Sequence, residues 1–280
     1  MQNYRFKMNP VSSKVQVPVE LLSYVQQHKL VKTFQVFMYM KCMCAGKMRN
    51  TDVAFTGMAG ILAKDKRTLQ VHLKKLISLN WLGFDAATGD YYVRSIGFIR
   101  KQQGFQKRKA ATFHFTHIRN MQAFLSGSII SANIKAQQFY WEVAKRGRLK
   151  SAIMNLEVAQ QDDSRASYAT NHKPDYYGLG VYGIAKLLHC KPTRACELKQ
   201  EAEAGGFIKT EKHFRELGRC RKPNFRMKEG FGDAFPERAK AVRFKKVTRN
   251  NQELILMLEQ LHDEIKPNVA FKKIKRFNHL

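Results

Sequence analysis

Three helix-like patterns followed by a hairpin-like pattern lie between Thr33 and Ile96, and this order constrains the fold more than any other feature of the chain. The first helix is predicted over Thr33–Ala45 and ends before Gly46. It has almost no polar face, so we expect it to be buried. A short second helix is predicted over Thr56–Ala63. These patterns predict a mainly helical α+β structure.

The third predicted helix, Lys66–Leu79, is the most regular of the three. Asp65 is a good N-cap for it. Its apolar residues form one stripe, made of Leu69, Leu73, Leu76 and Ile77. The opposite side is polar apart from one valine, and comprises Arg67, Gln70, Val71, Lys74 and Ser78. After this helix, the segment WLGFDAATGDYYVRSI alternates in hydropathy around Ala87–Asp90 and predicts a two-stranded hairpin.

Positive charge indicates the class of partner. The 280 residues contain 50 Lys and Arg against 22 Asp and Glu, so the formal net charge is +28. Hydrophobic residues at 44% and aromatic residues at 11% are too frequent for a disordered basic tail. We expect a folded protein this basic to neutralise phosphates, and nucleic acid offers the densest supply of them.

The charge is densest between residues 98 and 150, where 11 basic residues accompany one acid. This stretch contains the run RKQQGFQKRK, Arg100–Lys109, which we interpret as a connector that faces phosphates. Its predicted DNA contacts are Arg100, Lys101, Lys107, Arg108 and Lys109.

A weaker copy of the helix–helix–helix–hairpin order follows, and Leu62–Leu82 aligns with Leu187–Phe207 at an offset of 125 residues. Its helices are predicted over Asn133–Arg146, Leu179–His189 and Pro192–Ala204, with Gly205-Gly206 ending the last. Phe207–Lys228 is predicted to form two strands around a basic tip. An amphipathic helix is predicted over Asn251–Ile265, between the basic runs Arg238–Arg249 and Phe271–Phe277.

Helix, helix, helix, hairpin is the order of a winged helix. Over Thr33–Lys228 the chain resembles tandem winged-helix DNA-binding proteins, most nearly the replication initiators of plasmids and phages. The resemblance implies two winged-helix domains joined by the basic connector: residues 1–110 with an N-terminal arm and the connector, then residues 111–230, then a basic C-terminal helical extension over 231–280. It also implies that Lys66–Leu79 and Pro192–Ala204 occupy the recognition position. Phe113–Ile130 has no counterpart in a minimal two-domain initiator.

Further DNA contacts are predicted on the two recognition helices and on the second hairpin. Arg and Lys suit guanine and Gln suits adenine in the major groove. The first helix offers Lys66, Arg67, Gln70, Lys74 and Lys75. The second offers Lys191, Thr193 and Arg194, but Glu197, Glu201 and Glu203 cancel its charge. The second hairpin offers a stronger backbone clamp, with Arg215, Arg219, Arg221, Lys222 and Arg226. The first hairpin has Asp85 and Asp90 near its tip, so we expect it to be a poor clamp.

No catalytic residue, metal site or cofactor is predicted. His114 and His117 are three residues apart, which breaks the histidine–apolar–histidine pattern of a rolling-circle nickase. No phosphate loop of the form Gly-x-x-x-x-Gly-Lys-Ser/Thr is present. Cys190, Cys196 and Cys220 lack a Cys-x-x-Cys pair, so we expect buried free thiols.

The leading expectation is a non-catalytic protein that binds double-stranded DNA as a replication initiator of a plasmid, phage or other mobile element. The alternatives are a transcriptional regulator or architectural DNA-binding protein and, less favoured, an RNA-binding module. Recognition of single strands favours exposed aromatic residues on a sheet, and the sequence does not indicate such a surface. A homodimer and recruitment of replication or transcription machinery are compatible with the leading role. The sequence predicts no membrane span and no signal peptide, so we expect a cytoplasmic protein.

Overall fold

The computed structural model describes residues 10–44, 46–49, 51–159, 179–220, 242–249, 252–260 and 263–274. Within these ranges the chain is a mixed α+β structure in which helices alternate with small antiparallel sheets. Two groups of elements pack against the start of one long helix.

The first group contains the predicted helix–helix–helix–hairpin order. Its elements are β1 (Lys14–Pro18), α1 (Val19–Gln27), α2 (Val31–Met43), β2 (Lys47–Met48), α3 (Asp52–Leu62), α4 (Lys66–Ser78), β3 (Leu82–Phe84), β4 (Tyr91–Val93) and α5 (Ile96–Gln102). The three predicted helices and the hairpin are confirmed, with ends shifted by a few residues. Strands β3 and β4 pair antiparallel, and β2 adds to the other edge of β4.

Trp81 is fully buried in the core of the first group. The rings of Phe34 and Phe37, both from α2, meet the indole ring edge-on at centroid distances of 6.2 and 5.6 Å. Every residue of α2 from Thr33 to Met40 is buried, which confirms that a helix without a polar face lies in the interior. Full burial of one such phenylalanine stabilises the fold by roughly 1.5–3 kcal/mol.

Helix α6 (Met121–Ala159) joins the two groups. Its first part is buried. It packs against α1 and α2 of the first group, against β5 (Lys109–His114), and against elements of the second group. The predicted helix Asn133–Arg146 is therefore the continuation of a helix that starts at Met121. Phe113–Ile130, which the predicted layout did not explain, supplies the end of β5, the 3-10 turn Phe115–His117 and this buried start.

The second group begins with the predicted pair of helices. Its elements are α7 (Val181–Leu187), α8 (Pro192–Ala204), β6 (Ile208–Glu211), β7 (Phe214–Cys220), β8 (Val242–Arg249), β9 (Gln252–Gln260) and β10 (Glu264–Pro267). Pro192 lies in the first turn of α8 and Gly205 is its C-cap, as predicted.

The described part of the hairpin predicted within Phe207–Lys228 pairs with other segments of the chain, and residues 221–228 lie outside the described residues. Strand β6 pairs with β10, and β7 pairs with β9, which also pairs with β8. The two consecutive strands therefore belong to two separate antiparallel sheets, and their partners come from much later in the chain. We call the three-stranded sheet β7–β9–β8 the ribbon. Alternating hydropathy identifies a strand but does not specify its partner.

The helix predicted over Asn251–Ile265 is also wrong in its described residues, because Gln252–Gln260 forms β9 and β10 begins at Glu264. Leu254, Leu258 and Leu261 match a helical spacing, but Leu254, Leu256 and Leu258 equally match the period of two of a strand. The neighbours β7 and β8 pair with the backbone of both edges of β9, and this decides between the two patterns.

The predicted helical extension over 231–280 is replaced by strands in its described parts. Strands β8 and β9 belong to the ribbon, β10 pairs with β6, and β11 (Phe271–Lys273) pairs with β5. Strand β1 pairs with the other edge of β5. Residues from near both ends of the chain thus complete one sheet around β5.

Candidate nucleic-acid interface

Helix α4 begins at the predicted cap. The Asp65 carboxylate accepts hydrogen bonds from the backbone N–H of Thr68 at 2.6 Å and from its hydroxyl at 3.0 Å. These bonds stabilise the ionised form, so the pKa of Asp65 is lowered. The cap holds a negative charge at the positive end of the helix dipole.

The two sides of α4 divide as the sequence predicts, with one exception. Leu69, Leu73 and Leu76 are buried. The opposite side is exposed, and comprises Lys66, Arg67, Gln70, Val71, Lys74, Lys75 and Ser78. Ile77, which was assigned to the buried stripe, is 37% exposed. All five DNA contacts predicted on this helix therefore lie at the surface.

Hydrogen bonds connect α2 with α4 and with Lys64, which lies just before α4. His72 Nδ1 lies 3.0 Å from the Thr33 hydroxyl, and burial together with Lys64 and Lys32 lowers the pKa of His72. Lys64 donates to the side-chain oxygen of Gln35 at 2.9 Å, and Gln35 donates to the carbonyl of Ile118 at 2.8 Å. The inner side of α4 is thus positioned by packing and by polar contacts, which leaves its outer side available.

The first hairpin has an acidic tip, as predicted. Asp85 accepts a hydrogen bond from the backbone N–H of Ala87 at 3.0 Å. Asp90 is mostly buried and forms an ion pair with Lys47 of β2 at 2.7 Å. These carboxylates hold the turn together, and they leave little positive charge at the tip for a phosphate.

The outer face of the β2–β4–β3 sheet carries aromatic and basic side chains that the sequence analysis missed. Tyr92 is 38% exposed, and the Lys47 ammonium lies 5.5 Å from its ring centroid. The Arg94 guanidinium lies 5.1 Å from the ring centroid of Phe98, which is exposed to the same extent. The alternation in YYVR was the available signal, since it places Tyr92 and Arg94 on the side opposite the buried Val93.

The predicted connector Arg100–Lys109 does not present all its charges to solvent. Arg100 is only 4% exposed, and its guanidinium donates to the carbonyl of Lys107 at 3.3 Å. Burial lowers the pKa of Arg100. In this position the guanidinium bonds within the protein, so the structure does not present Arg100 to solvent for the predicted phosphate contact.

Two more connector residues have partners inside the protein. Lys109 donates to the carbonyl of Ala132 at 3.0 Å and lies 4.9 Å from the ring centroid of Phe271. Arg108 donates to the carbonyl of Ile274 at 3.0 Å. Lys101 and Lys107 are exposed. This segment therefore fastens β5 to its neighbours, and only part of it remains a candidate for phosphate contact.

The outer side of α8 is electrically balanced. Lys191, Thr193 and Arg194 are exposed. The Arg194 guanidinium, however, pairs with Glu197 at 2.7 Å and with Glu201 at 3.1 Å. The charge cancellation expected from the sequence thus takes the form of direct ion pairs within the helix.

The basic residues predicted on the second hairpin fall in two places. Arg215 and Arg219 belong to β7, in the long ribbon. Arg221, Lys222 and Arg226 lie outside the described residues.

Glu211, His213 and Glu264 bring their ligand atoms within 4.8 Å of one another at the base of the ribbon. His213 Nε2 lies 2.9 Å from the Glu264 carboxylate. Lys266 and Lys209 pair with Glu211 at 2.6 and 3.0 Å and lower its pKa to about 2. Because two ammonium groups already neutralise this carboxylate, the group is better described as an ion-pair network than as a cation site.

The cysteines and histidines considered in the sequence have ordinary surroundings. Of the thiols expected to be buried, Cys190 is partly exposed and Cys196 is exposed, which corrects that expectation.

His114 and His117 line a cavity of about 300 Å³ between β5, the end of α8 and the segment before β11. The ring nitrogen of His117 accepts a hydrogen bond from the backbone N–H of His114 at 3.3 Å, and burial lowers the pKa of His117.

No protein-family model matches this chain, and comparison with curated proteins and with solved structures finds no match either. Among the helices in the described ranges, none is both long enough and apolar enough to cross a lipid bilayer.

Proposed function

We propose that this chain binds double-stranded DNA and that the segment from α2 to β4 is a winged helix with α4 as its recognition helix. The observation that carries the proposal is the exposed basic side of α4, opposite a buried leucine stripe. The element order and the sheet order β2–β4–β3 support it, since a three-stranded sheet beside three helices is the winged-helix layout.

The charge distribution favours a phosphate-rich partner. The exposed part of α4 carries Lys66, Arg67, Lys74 and Lys75, and its first turn contains no acid. Basic side chains flanking a helix face are suited to the phosphates that border the major groove. With a net charge of +28, counterion release is expected to supply much of the affinity.

The second group is proposed as a second DNA-binding unit that uses its ribbon rather than its helix. Arg194 of α8 is engaged by two glutamates, so base reading by α8 would first require breaking these ion pairs. Strand β7 follows β6 after two residues and pairs with β9, and the predicted contacts Arg215 and Arg219 belong to β7. This ribbon is the proposed second wing.

Replication initiation is the proposed cellular role. Helix α6 packs against both groups, so one chain carries α4 and the ribbon in a single assembly. Such a protein laid along an asymmetric site is suited to bend the duplex, at a cost of roughly 1–6 kcal/mol that added phosphate contacts offset. Bending assists an initiator, which must help to open DNA, whereas a repressor need only occupy its site.

The binding proposal is tested by titrating the full chain with labelled duplex DNA at several salt concentrations. We expect the logarithm of the affinity to fall by about 0.9 per phosphate contact for each tenfold rise in salt. Arg67→Ala and Lys74→Ala should weaken binding to a preferred site, and Lys14→Ala, at the exposed first residue of β1, is the matched control. An affinity that does not change with salt concentration would contradict the proposal, and so would variants that all bind with the affinity of the wild type. Stronger binding to duplex RNA would favour the RNA-binding alternative.

The role is tested separately. The preferred site and the gene are placed on a plasmid that lacks any other origin, and we expect the plasmid to be maintained. Loss of the plasmid, while the protein still binds the site and silences a neighbouring promoter, would favour a regulator instead.

A further inference from the structure

Val71 is an apolar side chain in the middle of the polar side of α4. It is 64% exposed. Successive residues of a helix are separated by about 100°, so Val71 lies beside Arg67 and Lys74 and opposite the buried Leu69 and Leu76. Gln70, the preceding residue, is exposed on the same side.

Isolated exposed apolar residues are common on protein surfaces, so exposure alone assigns no role to Val71. Its position is the informative part, because its neighbours are the side chains proposed to read base edges. Valine also forms helices less readily than alanine, lysine or glutamine, by a few tenths of a kcal/mol as a rough measure. Because the side chain is exposed, its apolar surface is buried only when a molecule outside the chain contacts it.

The major groove offers one apolar feature on unmodified bases, the 5-methyl group of thymine. An adjacent glutamine is suited to the N6 and N7 positions of adenine, so Gln70 and Val71 together match a stretch that contains A·T pairs. We propose that Val71 contacts a thymine methyl group when α4 lies in the major groove, and that this contact makes the chain prefer thymine at one position. The inference rests on the proposed DNA binding by α4.

The test compares thymine with deoxyuridine, which differ only in this methyl group. The full-length protein first selects its preferred duplex from a random library, and each thymine of that duplex is then replaced in turn. At one position of the site, or of each half-site, replacement should weaken binding by about fourfold, the effect of burying roughly one methyl group. Val71→Ala should bind the thymine and deoxyuridine duplexes with affinities within about twofold of each other, because most of the methyl contact is lost.

Val143→Ala is the matched control, because it makes the same change at an exposed position of α6 that is 48% accessible. This variant should keep the fourfold discrimination. If no thymine position discriminates although binding remains selective, the inference is wrong and the DNA-binding proposal stands. The inference is also wrong, and the DNA-binding proposal stands, if Val71→Ala discriminates between the thymine and deoxyuridine duplexes as strongly as the wild type does. If the chain binds no duplex at all, the proposed function itself is wrong.

Discussion

A Cβ atom added to Gly127 would lie 2.5 Å from the Cβ atom of Phe207, so the backbone of α6 runs directly against Phe207, which lies three residues after the end of α8. The same atom would lie 3.4 Å from the Cβ of Ala202. The Ser126 hydroxyl lies 3.2 Å from the carbonyl oxygen of Leu198. The long helix and the second group thus meet where there is no room for a larger residue.

Gly127→Ala should therefore destabilise the protein by about 1–3 kcal/mol, because the added methyl group forces α6 away from Phe207. Gly60→Ala is the control, since a Cβ there meets nothing within 4 Å and the position is within α3. That change should raise the free energy of unfolding by about 0.5–1 kcal/mol. Urea titrations followed by circular dichroism measure both. Equal stability of the wild type and Gly127→Ala would contradict the close approach.

Two neighbouring substitutions on α4 should separate stability from binding. Leu73 is 1% exposed, so Leu73→Ala should cost about 2–5 kcal/mol by leaving a cavity under the helix. Val71→Ala removes an exposed side chain and should change the free energy of unfolding by no more than about 0.5 kcal/mol. The measurement is equilibrium unfolding of both variants. A large loss of stability in Val71→Ala would mean that this side chain packs inside the protein.

The adjacent residues Arg100 and Lys101 should behave in opposite ways. Arg100 is buried and bonded to the carbonyl of Lys107, so Arg100→Ala should cost about 1–3 kcal/mol of stability. It should leave the salt dependence of DNA binding unchanged. Lys101 is exposed, so Lys101→Ala should leave stability unchanged. It should reduce the slope of log affinity against log salt by the contribution of about one phosphate contact. A smaller slope in Arg100→Ala would show that this side chain leaves its buried position on DNA.

The ion pairs of Glu211 should make stability depend on pH. Lys266 and Lys209 lower the pKa of Glu211 from 4.5 to about 2. A lowered carboxylate pKa stabilises the folded state above the unfolded value and loses this effect as the pH falls to the folded value. The unfolding temperature of Glu211→Gln should therefore lie below that of the wild type near pH 6, and the gap should close as the pH approaches 2. A gap that does not change over this range would show that these lysines do not act on Glu211.

The parts of the fold that follow from neighbouring residues could be predicted. Asp65 caps α4, and the leucine stripe determines which side of the helix is buried. Both could be predicted because both effects act between residues that are close in sequence. The pairing of β3 with β4 could also be predicted, because the turn that joins these two strands lies directly between them in the sequence. The exposed basic side of α4, which is the main part of the proposed DNA-binding surface in the first group, follows from the same periodicity.

The sequence by itself therefore determined the helices and hairpin of the first group, the buried character of α2 and the strong positive charge. Only the tertiary structure decided that residues 252–260 form a strand rather than a helix, that Phe271–Lys273 pairs with β5, and that Arg100 is buried beside Lys107. Local periodicity reports which side of a segment is apolar, but it does not say which distant segment will satisfy its backbone hydrogen bonds or cover its charge. Those choices depend on chain segments far apart in sequence, and they are made only when the whole chain packs together.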